Sequence, residues 1–499
     1  MPDQRTGADT AHLTQAIEQL LPSLEEVWRY EGLETALRDR ATWLAGLEGP
    51  LPAAGAGLDA VLEELQQHVI PYGPRMGKPG FSGWITAGPT TAGVAAQLAA
   101  TAVSPQRYLL TAFNHLEGQS LRWLQELLGI PATFQGVYAT GGSVANLIGL
   151  GAARQHAYEQ RGRDVAALGL DAPGRLYTSV ESHHTVARSA AVLGLGRSAT
   201  FLAPVDHEQR VDVAAIAAAI DRDLADGIVP VAVVGVAGTT NTGAIDDLSA
   251  LAEVAHERGV WFHVDGAYGL FGVTDPDQRP RYEGYQQADS MIVDPHKWLA
   301  APCGIGAAFV RDAALLHRAF TQGEAEYLEG SFSAEPTSPF DSMGVAYADF
   351  GVELSSPARG VVVWALLREI GAEGVRAIVQ RDVAFAQHLA ERARRHPRLQ
   401  LVTEPKLSIC CFRYRPEGAP DADGDEDEAG LADLNARILS ALRRDTPYAP
   451  SSTVVDGRYA LRPCYVNART TLADVDGLAD AVVAIGDRLV AEAAPGPSA

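Results

Sequence analysis

The chain predicts an α/β protein with a large domain on a mostly parallel sheet and a small α+β domain after it. Three observations carry this. Between about 101 and 370, short runs that are apolar throughout, such as Val229 to Val236 and Ser290 to Val293, alternate with amphipathic stretches. Runs without polar alternation belong to strands covered on both faces, hence to a largely parallel sheet with crossover helices. After about 371, helices and strand-like segments mix in the manner of a small α+β unit. A length of 499 residues also exceeds what one simple core supports, so two or three domains follow.

Residues 11 to 100 read as helices with loops. Pro71, Pro74, Pro79 and Pro89, with Gly73, Gly77, Gly80, Gly83 and Gly88, break up its second half. That stretch is either a plain connector or, through Phe81, Trp84 and Ile85, an apolar pocket wall. In the large domain (101–370) the strands are Val137 to Ala139, Arg175 to Thr178, Val229 to Val236, Val260 to Asp265, Ser290 to Val293 and Gly304 to Val310. Helices between them cover Ser143 to Gln160, Asp212 to Leu224 and Leu248 to Arg258. The last unit (371–499) reads as a helix from Val375 to Arg395, a strand-like segment from Leu399 to Tyr414, a helix from Leu431 to Arg443, a strand around Tyr459 to Val466 and a last helix. The acidic run 416–428 reads as a solvated mobile loop, with an acidic partner-binding tip as its second reading. The tail from Ala493 to Ala499 reads as frayed.

A formal net charge of −22 and a pI near 5.0 create a field that repels nucleic acid and anionic membrane. Met1 to Thr10 lacks the apolar core of a signal peptide, and no run reaches the roughly 20 apolar residues that cross a bilayer. Four cysteines in so long a chain make no disulfide framework, and adjacent Cys410 and Cys411 read as core. A reducing cytoplasm is the expected location.

The chemistry starts at Lys297, in Ser290-Met291-Ile292-Val293-Asp294-Pro295-His296-Lys297-Trp298. These neighbours predict a partly buried amine at a strand end. Burial removes an amine's charge readily, and a neutral amine forms Schiff bases. Asp265 closes another apolar strand, in Trp261-Phe262-His263-Val264-Asp265-Gly266-Ala267-Tyr268. An amine for an aldehyde and an acid for a pyridinium nitrogen are the groups that pyridoxal 5'-phosphate (PLP) needs most.

Supporting residues each carry a plainer reading as well. Thr140-Gly141-Gly142-Ser143 lies between a strand and a helix; Gly142 and Ser143 suit a phosphate at a helix N-terminus, or an ordinary turn and cap. Ala267 is small enough to pack beneath a flat ring. His183, beside His184, is either structural or stacked on the ring's other face. With no third ligand evident, the pair makes no metal site. Thr240, in a turn after the most apolar strand, offers a hydroxyl to the cofactor or simply closes the turn. His296 is placed to reach the phosphate. Arg359 meets an anion across the site or forms a structural ion pair. In parallel sheets ligands sit beyond the carboxyl ends of strands, where Asp265, Lys297 and the glycine turn all fall.

These residues resemble the group II PLP-dependent amino-acid decarboxylases, which include the aromatic-L-amino-acid, glutamate and tyrosine decarboxylases. The resemblance runs from about Phe81 to about Thr471. It rests on Asp265-Gly266-Ala267 with Asp294-Pro295-His296-Lys297-Trp298, and on Gly141-Gly142-Ser143, His183, Leu461-Arg462 and Asn467-Ala468-Arg469-Thr470-Thr471. It implies the PLP-dependent transferase fold type I, as in aspartate aminotransferase, with a seven-stranded sheet in the large domain. It also implies a homodimer with active sites at the interface. By position, Lys297 holds PLP, Asp265 pairs the ring nitrogen and His183 stacks on the ring. Gly142, Ser143 and His296 fall at the phosphate, and Trp84 and Thr86 in the substrate-pocket loop. A loop tyrosine protonates the carbon after CO₂ leaves; Tyr347, by its spacing before Arg359, is the first candidate and Tyr327 the competitor. Asp294, Val144 and Gly266 depart from the frequent Asn, Glu and Ala of the family.

The expected activity is PLP-dependent decarboxylation of an L-amino acid to its amine. Phe81 and Trp84 favour an aromatic substrate, with acidic amino acids or diaminobutyrate behind. The rival enzyme readings are a transaminase and a decarboxylating oxidase or aldehyde synthase on the same fold. A PLP-binding protein with an interaction role is a third reading.

Overall fold

The N-terminal segment contributes helices α1 (Leu13–Arg29), α2 (Arg40–Leu47) and α3 (Leu58–Glu64), then a two-residue strand β1 (Phe81–Ser82) and helices α4 (Thr91–Val103) and α5 (Ala112–Leu128). The structure, a computed structural model, describes residues 13–29, 39–103, 105, 109–321, 344–417 and 425–493. Tyr327, most of the acidic run and the two ends of the chain lie outside the described residues.

The large sheet contains β2 (Gln135–Ala139), β3 (Gly174–Ser179), β4 (Thr200–Ala203), β5 (Val229–Val236), β6 (Trp261–Asp265), β7 (Ser290–Val293) and β8 (Gly306–Val310). Their order is β2-β8-β7-β6-β5-β3-β4. The pairs β3 to β4, β3 to β5, β5 to β6 and β6 to β7 are parallel, and β8 runs antiparallel to both neighbours. The expected seven-stranded, mostly parallel sheet is the one observed. β4 was not foreseen, because Thr200-Phe201-Leu202-Ala203 is a half-buried edge strand and too short to show a pattern.

The apolar runs are buried as their composition requires. Val231, Val233, Phe262, Met291, Ile292 and Phe309 are fully enclosed, each contributing roughly 1.5–3 kcal/mol from removal of apolar surface from water. Crossover helices α6 (Gly142–Glu159), α7 (Val165–Leu168), α8 (Thr185–Val192), α9 (Val213–Ala225), α10 (Leu248–Glu257) and α11 (Ala313–Phe320) accompany the strands. Asp164, Asp212, Asp247 and Asp312 cap α7, α9, α10 and α11 by accepting bonds from their first-turn amides. α6 differs: its N-cap is Gly141, at φ 114°, with no side-chain cap.

Helix α12 (Arg359–Arg395) leaves the large domain and is broken at Gly371, whose φ of 64° and ψ of −179° interrupt the helical path. Beyond it, β9 (Leu399–Thr403), β10 (Cys411–Tyr414), β11 (Ala449–Val455) and β12 (Arg458–Arg462) form a second sheet with helices α13 (Asp425–Asp445) and α14 (Leu472–Ala493). Its order is β1-β11-β12-β10-β9, with β1 parallel to β11 and the other pairs antiparallel. The segment around Phe81 is thus tied to the C-terminal sheet. Leu389, Phe412, Ile438, Leu442, Leu461 and Val482 form that unit's core.

One reading is corrected here. The acidic run does not stay a loop through 428: α13 begins at Asp425, where acids suit a helix N-terminus. Glu428 pairs at 2.6 Å with Arg413, which is fully buried. The strand-like segment 399–414 is two antiparallel strands, with Cys410 and Cys411 buried as expected.

Candidate active site

The ends of β2, β3, β5, β6 and β7 open on one cavity of about 240 Å³. Gly142, Ser143, His183, Thr240, Asp265, Ala267, His296 and Lys297 all line it. Parallel strands produce this convergence, since each delivers its next residue to the same edge of the sheet.

Lys297 follows β7 through a turn in which its own N–H donates to the carbonyl of Asp294 at 3.0 Å. Its Nζ lies 3.2 Å from Asp294 Oδ2, and its side chain is 22 % exposed. The amine is partly buried at a strand end, as its neighbours suggested, and is half of an ion pair. Asp294, one of the departures from the family pattern, supplies the counter-charge. Its Oδ1 is buried without a partner. A Cβ on Gly142 or Gly306 would stand 2.7 or 2.6 Å from its carboxylate oxygens, so glycine at both positions is what admits the group.

Asp265 ends β6 and is 6 % exposed. Its Oδ2 accepts from Asn146 Nδ2 at 2.9 Å, and its Oδ1 from the Ala267 N–H at 3.1 Å. His183 stands across the cavity with Nδ1 2.9 Å from Thr185 Oγ1. Burial pushes the His183 pKa down to about 4; the Asp265 charge opposes this, while His184 and Lys297 add to it. The ring is neutral at physiological pH. Its 4.1 Å centroid spacing from His184 is a contact of two imidazoles.

The phosphate-type residues lie at the start of α6. Gly141 has a φ of 114°, and no side chain caps the helix by a hydrogen bond. His296 Nδ1 donates to the Ile305 carbonyl at 2.7 Å, and its ring edge rests on Gly141. Thr240 lines the cavity, whereas Thr239 and Thr242 bond each other and close the turn.

A second cavity of about 510 Å³ shares Lys297, His183 and Thr240 with the first and adds Trp84, Ile85, Asn241, Arg443, Ser451, Ser452 and Arg462. Trp84 is 63 % exposed and strained at φ 51°. Arg462 holds this wall together: it donates to the carbonyls of Trp84 (2.5 Å), Asn241 (3.2 Å) and Thr240. The segment after it pins the proline-rich loop, through Asn467 Nδ2 to the Lys78 carbonyl and Thr470 Oγ1 to the Pro79 carbonyl. That loop is a pocket wall as well as a connector. Phe81 is not in the lining; its ring meets Trp84 edge-on at 6.1 Å. Thr86, half-buried, is not in the lining either.

Two sequence candidates fall elsewhere. Tyr347 is 4 % exposed and packs within the main core, its hydroxyl against Gly118 of α5, so it lines neither cavity. Arg359 makes the structural ion pair: its guanidinium meets Glu353 at 2.8 Å and donates to the Gly304 carbonyl. Conversely Asn146, Thr185, Tyr268 and Arg443 line the cavities without having been assigned a role. Asn146 carried a signal, as a polar residue sharing a helix face with Gly149 and Leu150.

The set fits PLP. An amine, an acid, a small residue, an imidazole and the start of a helix without a side-chain cap line one cavity, the groups that a phosphorylated pyridine aldehyde needs. Comparison with known proteins agrees. The family model described as "Pyridoxal-dependent decarboxylase conserved domain" matches residues 44–415. The chain is 27 % identical to an aromatic-L-amino-acid decarboxylase of Bacillus atrophaeus, over 84 % of each chain. It is 28 % identical to an L-2,4-diaminobutyrate decarboxylase of Rhizobium meliloti (strain 1021), over 96 % of this chain and 93 % of the relative. A cysteine sulfinic acid decarboxylase of Mus musculus is 28 % identical over 80 % of this chain and 78 % of its own. In fold, the chain is similar to the crystal structure of Oryza sativa TDC with PLP and tryptamine, with TM-score 0.85, 23 % identity and coverage of 97 % and 99 %. The chain belongs to the pyridoxal-dependent decarboxylase family and is a PLP-dependent carboxy-lyase acting on amino acids.

Proposed function

We propose that this enzyme decarboxylates an L-amino acid whose side chain occupies the outer cavity, with Lys297 holding PLP and Asp265 facing its ring nitrogen. The observation that carries the assignment is the shared cavity: Lys297 and Asp265, from two different strands, face one space with the start of α6. PLP, when bound, supplies the electron sink for the pair left behind as the α-carboxylate departs as CO₂. The protein's residues do the rest. Asp265 keeps a negative charge against the ring N–H. Gly142, Ser143 and His296 hold the phosphate, Thr240 lies beside the ring, and Ala267 and His183 enclose its two faces. Trp84, with Phe81 behind it and Thr86 beside it, borders the substrate side chain. These contacts orient the breaking bond and keep water out.

The proton that replaces CO₂ comes from a tyrosine in this reading. Tyr347 is enclosed in the core, which leaves Tyr327 as the remaining candidate. For the substrate, Trp84 supports an aromatic side chain. A second reading is favoured by Arg443: it lines the outer cavity, bonds only the Pro450 carbonyl, and has no ion-pair partner among the described residues. No Asp or Glu among the described residues lines that cavity, so the arginine suits a substrate with an acidic side chain.

Exposed Leu21 and Leu24 on α1, and Val94, Leu98 and Val103 on α4, support a homodimer that covers these faces. The first experiment is borohydride reduction followed by peptide mapping, with a panel of amino acids assayed for CO₂, amine, ammonia and peroxide. A pyridoxyl group on Lys297, absent in Lys297→Ala, and amine matching CO₂ one to one are expected. Mapping to another lysine sinks the site assignment; ammonia and peroxide in place of amine sink simple decarboxylation.

A further inference from the structure

Asn146 enters the cavity from the first turns of α6 and is 1 % exposed. Its amide nitrogen donates to Asp265 Oδ2 at 2.9 Å and to Thr185 Oγ1 at 3.2 Å. Its amide oxygen lies 2.8 Å from His263 Nε2. The orientation is forced, because the flipped amide would set its oxygen against the Asp265 carboxylate.

The rest of the hydrogens follow from that oxygen. An amide oxygen only accepts, so His263 Nε2 carries the proton. His263 is fully buried, and burial holds its pKa down to about 4, so the ring is neutral and Nδ1 is a lone pair. Ser290 Oγ, 2.7 Å from Nδ1, therefore donates to it. The same oxygen accepts from Trp261 Nε1 at 2.8 Å. Every donor in the series Trp261, Ser290, His263, Asn146 points towards Asp265. A second branch leaves the same amide. Thr185 Oγ1 accepts from Asn146, and the Thr185 backbone N–H points at His183 Nδ1 at 3.4 Å, which makes Nδ1 an acceptor and gives it the Thr185 hydroxyl proton, 2.9 Å away. That makes His183 the Nε2–H tautomer, with the N–H on the edge away from Thr185.

We infer that Asn146 and His263 are positioning residues, a buried one-way hydrogen-bond chain that orients the Asp265 carboxylate and, through Thr185, sets the tautomer of His183. The inference rests on the reading that Asp265 serves the cofactor's ring nitrogen. Its physical content is that the positive ends of several aligned dipoles converge on one carboxylate oxygen, in a medium where such chains are strong.

The test uses the holoenzyme loaded with PLP labelled with nitrogen-15 at the ring nitrogen. Its chemical shift reports protonation, and the rate of cofactor release is read separately. Asn146→Leu and His263→Phe are expected to move the signal towards the unprotonated ring and to speed release by about 10- to 100-fold, the scale seen for outer partners of bound cofactor ligands such as metal sites. His263→Gln, which restores a donor facing Asn146, is expected to recover most of both. If the larger changes prevent folding, Ser290→Ala and Trp261→Phe shorten the chain from its far end and are expected to give a smaller shift in the same direction. Folded variants of Asn146 and His263 with wild-type signal and release rate overturn the inference alone. A wild-type enzyme whose ring nitrogen is unprotonated overturns the underlying reading of Asp265, and this inference with it.

Discussion

At the scale of single residues, Lys297 and Asp294 show how a neighbouring charge joins burial as a device that controls an amine. Apolar sequence on both sides suggested a partly buried lysine; the lysine is partly buried and also meets a carboxylate at 3.2 Å. Of the two candidate tyrosines, Tyr347 has its hydroxyl against Gly118 and lines neither cavity, and Tyr327 lies outside the described residues. Tyr327→Phe is therefore expected to retain PLP while lowering amine formation by about 10²-fold, with product diverted to aldehyde, as for loss of one general acid. Tyr347→Phe is expected to leave the product ratio unchanged. Product analysis by mass spectrometry decides, and a changed ratio in Tyr347→Phe would return the role to it.

At the scale of elements, the N-terminus of α6 is the part built for an anion. Aspartates close four other helices, whereas here the cap is a glycine with a φ of 114°. The next glycine is equally constrained, because its hydrogen faces the Asp294 carboxylate. Gly142→Ala is expected to cost about 1–3 kcal/mol in stability from overpacking and to weaken PLP binding. Thermal melting of the apoprotein and cofactor titration by fluorescence measure the two effects. A variant that melts and binds as wild type would show that Asp294 moves aside without cost. Much of α6 was legible beforehand, since Gly-Gly-Ser before an amphipathic stretch marks a strand-to-helix turn. The direction of Asn146 was not, because a helix periodicity names the face and not the partner across the core.

For the whole molecule, buried histidines give stability a pH dependence. Folded His263 and His183 both protonate near pH 4, whereas unfolded imidazoles protonate near 6.5. At these two sites the unfolded chain binds more protons between those values, so their contribution to stability falls as pH falls from about 6.5 to 4, while burial raises Asp246 to about 6 and Asp382 to about 7 and makes their contributions run the other way. For His263, which is fully buried, the slope approaches about 1.4 kcal/mol per pH unit within the window. Denaturant unfolding at pH 7 and pH 5 is expected to show a smaller loss in His263→Gln than in wild type; equal losses would contradict it. Quaternary structure belongs to this scale as well. Leu98→Asp, in the exposed stripe of α4, is expected to shift the protein from dimer to monomer by light scattering, and a dimer that persists would place the interface elsewhere.

Sequence by itself determined the cofactor chemistry and the class of fold. Lys297 and Asp265 stand out at the ends of apolar runs, and runs such as Val229 to Val236 suggest a strand covered on both faces, which is what that run forms. Those are local signals, written in spacing and composition. Tertiary structure alone decided which side chains meet: Asp294 with Lys297, Asn146 with Asp265 and His263, Arg462 with three carbonyls from two distant segments, and Tyr347 with the core. The physical reason is that a hydrogen bond or ion pair is set by distances of about 3 Å; apart from Asp294 and Lys297, the groups that meet lie from 117 to 378 residues apart, and no local pattern in the chain encodes such a distance.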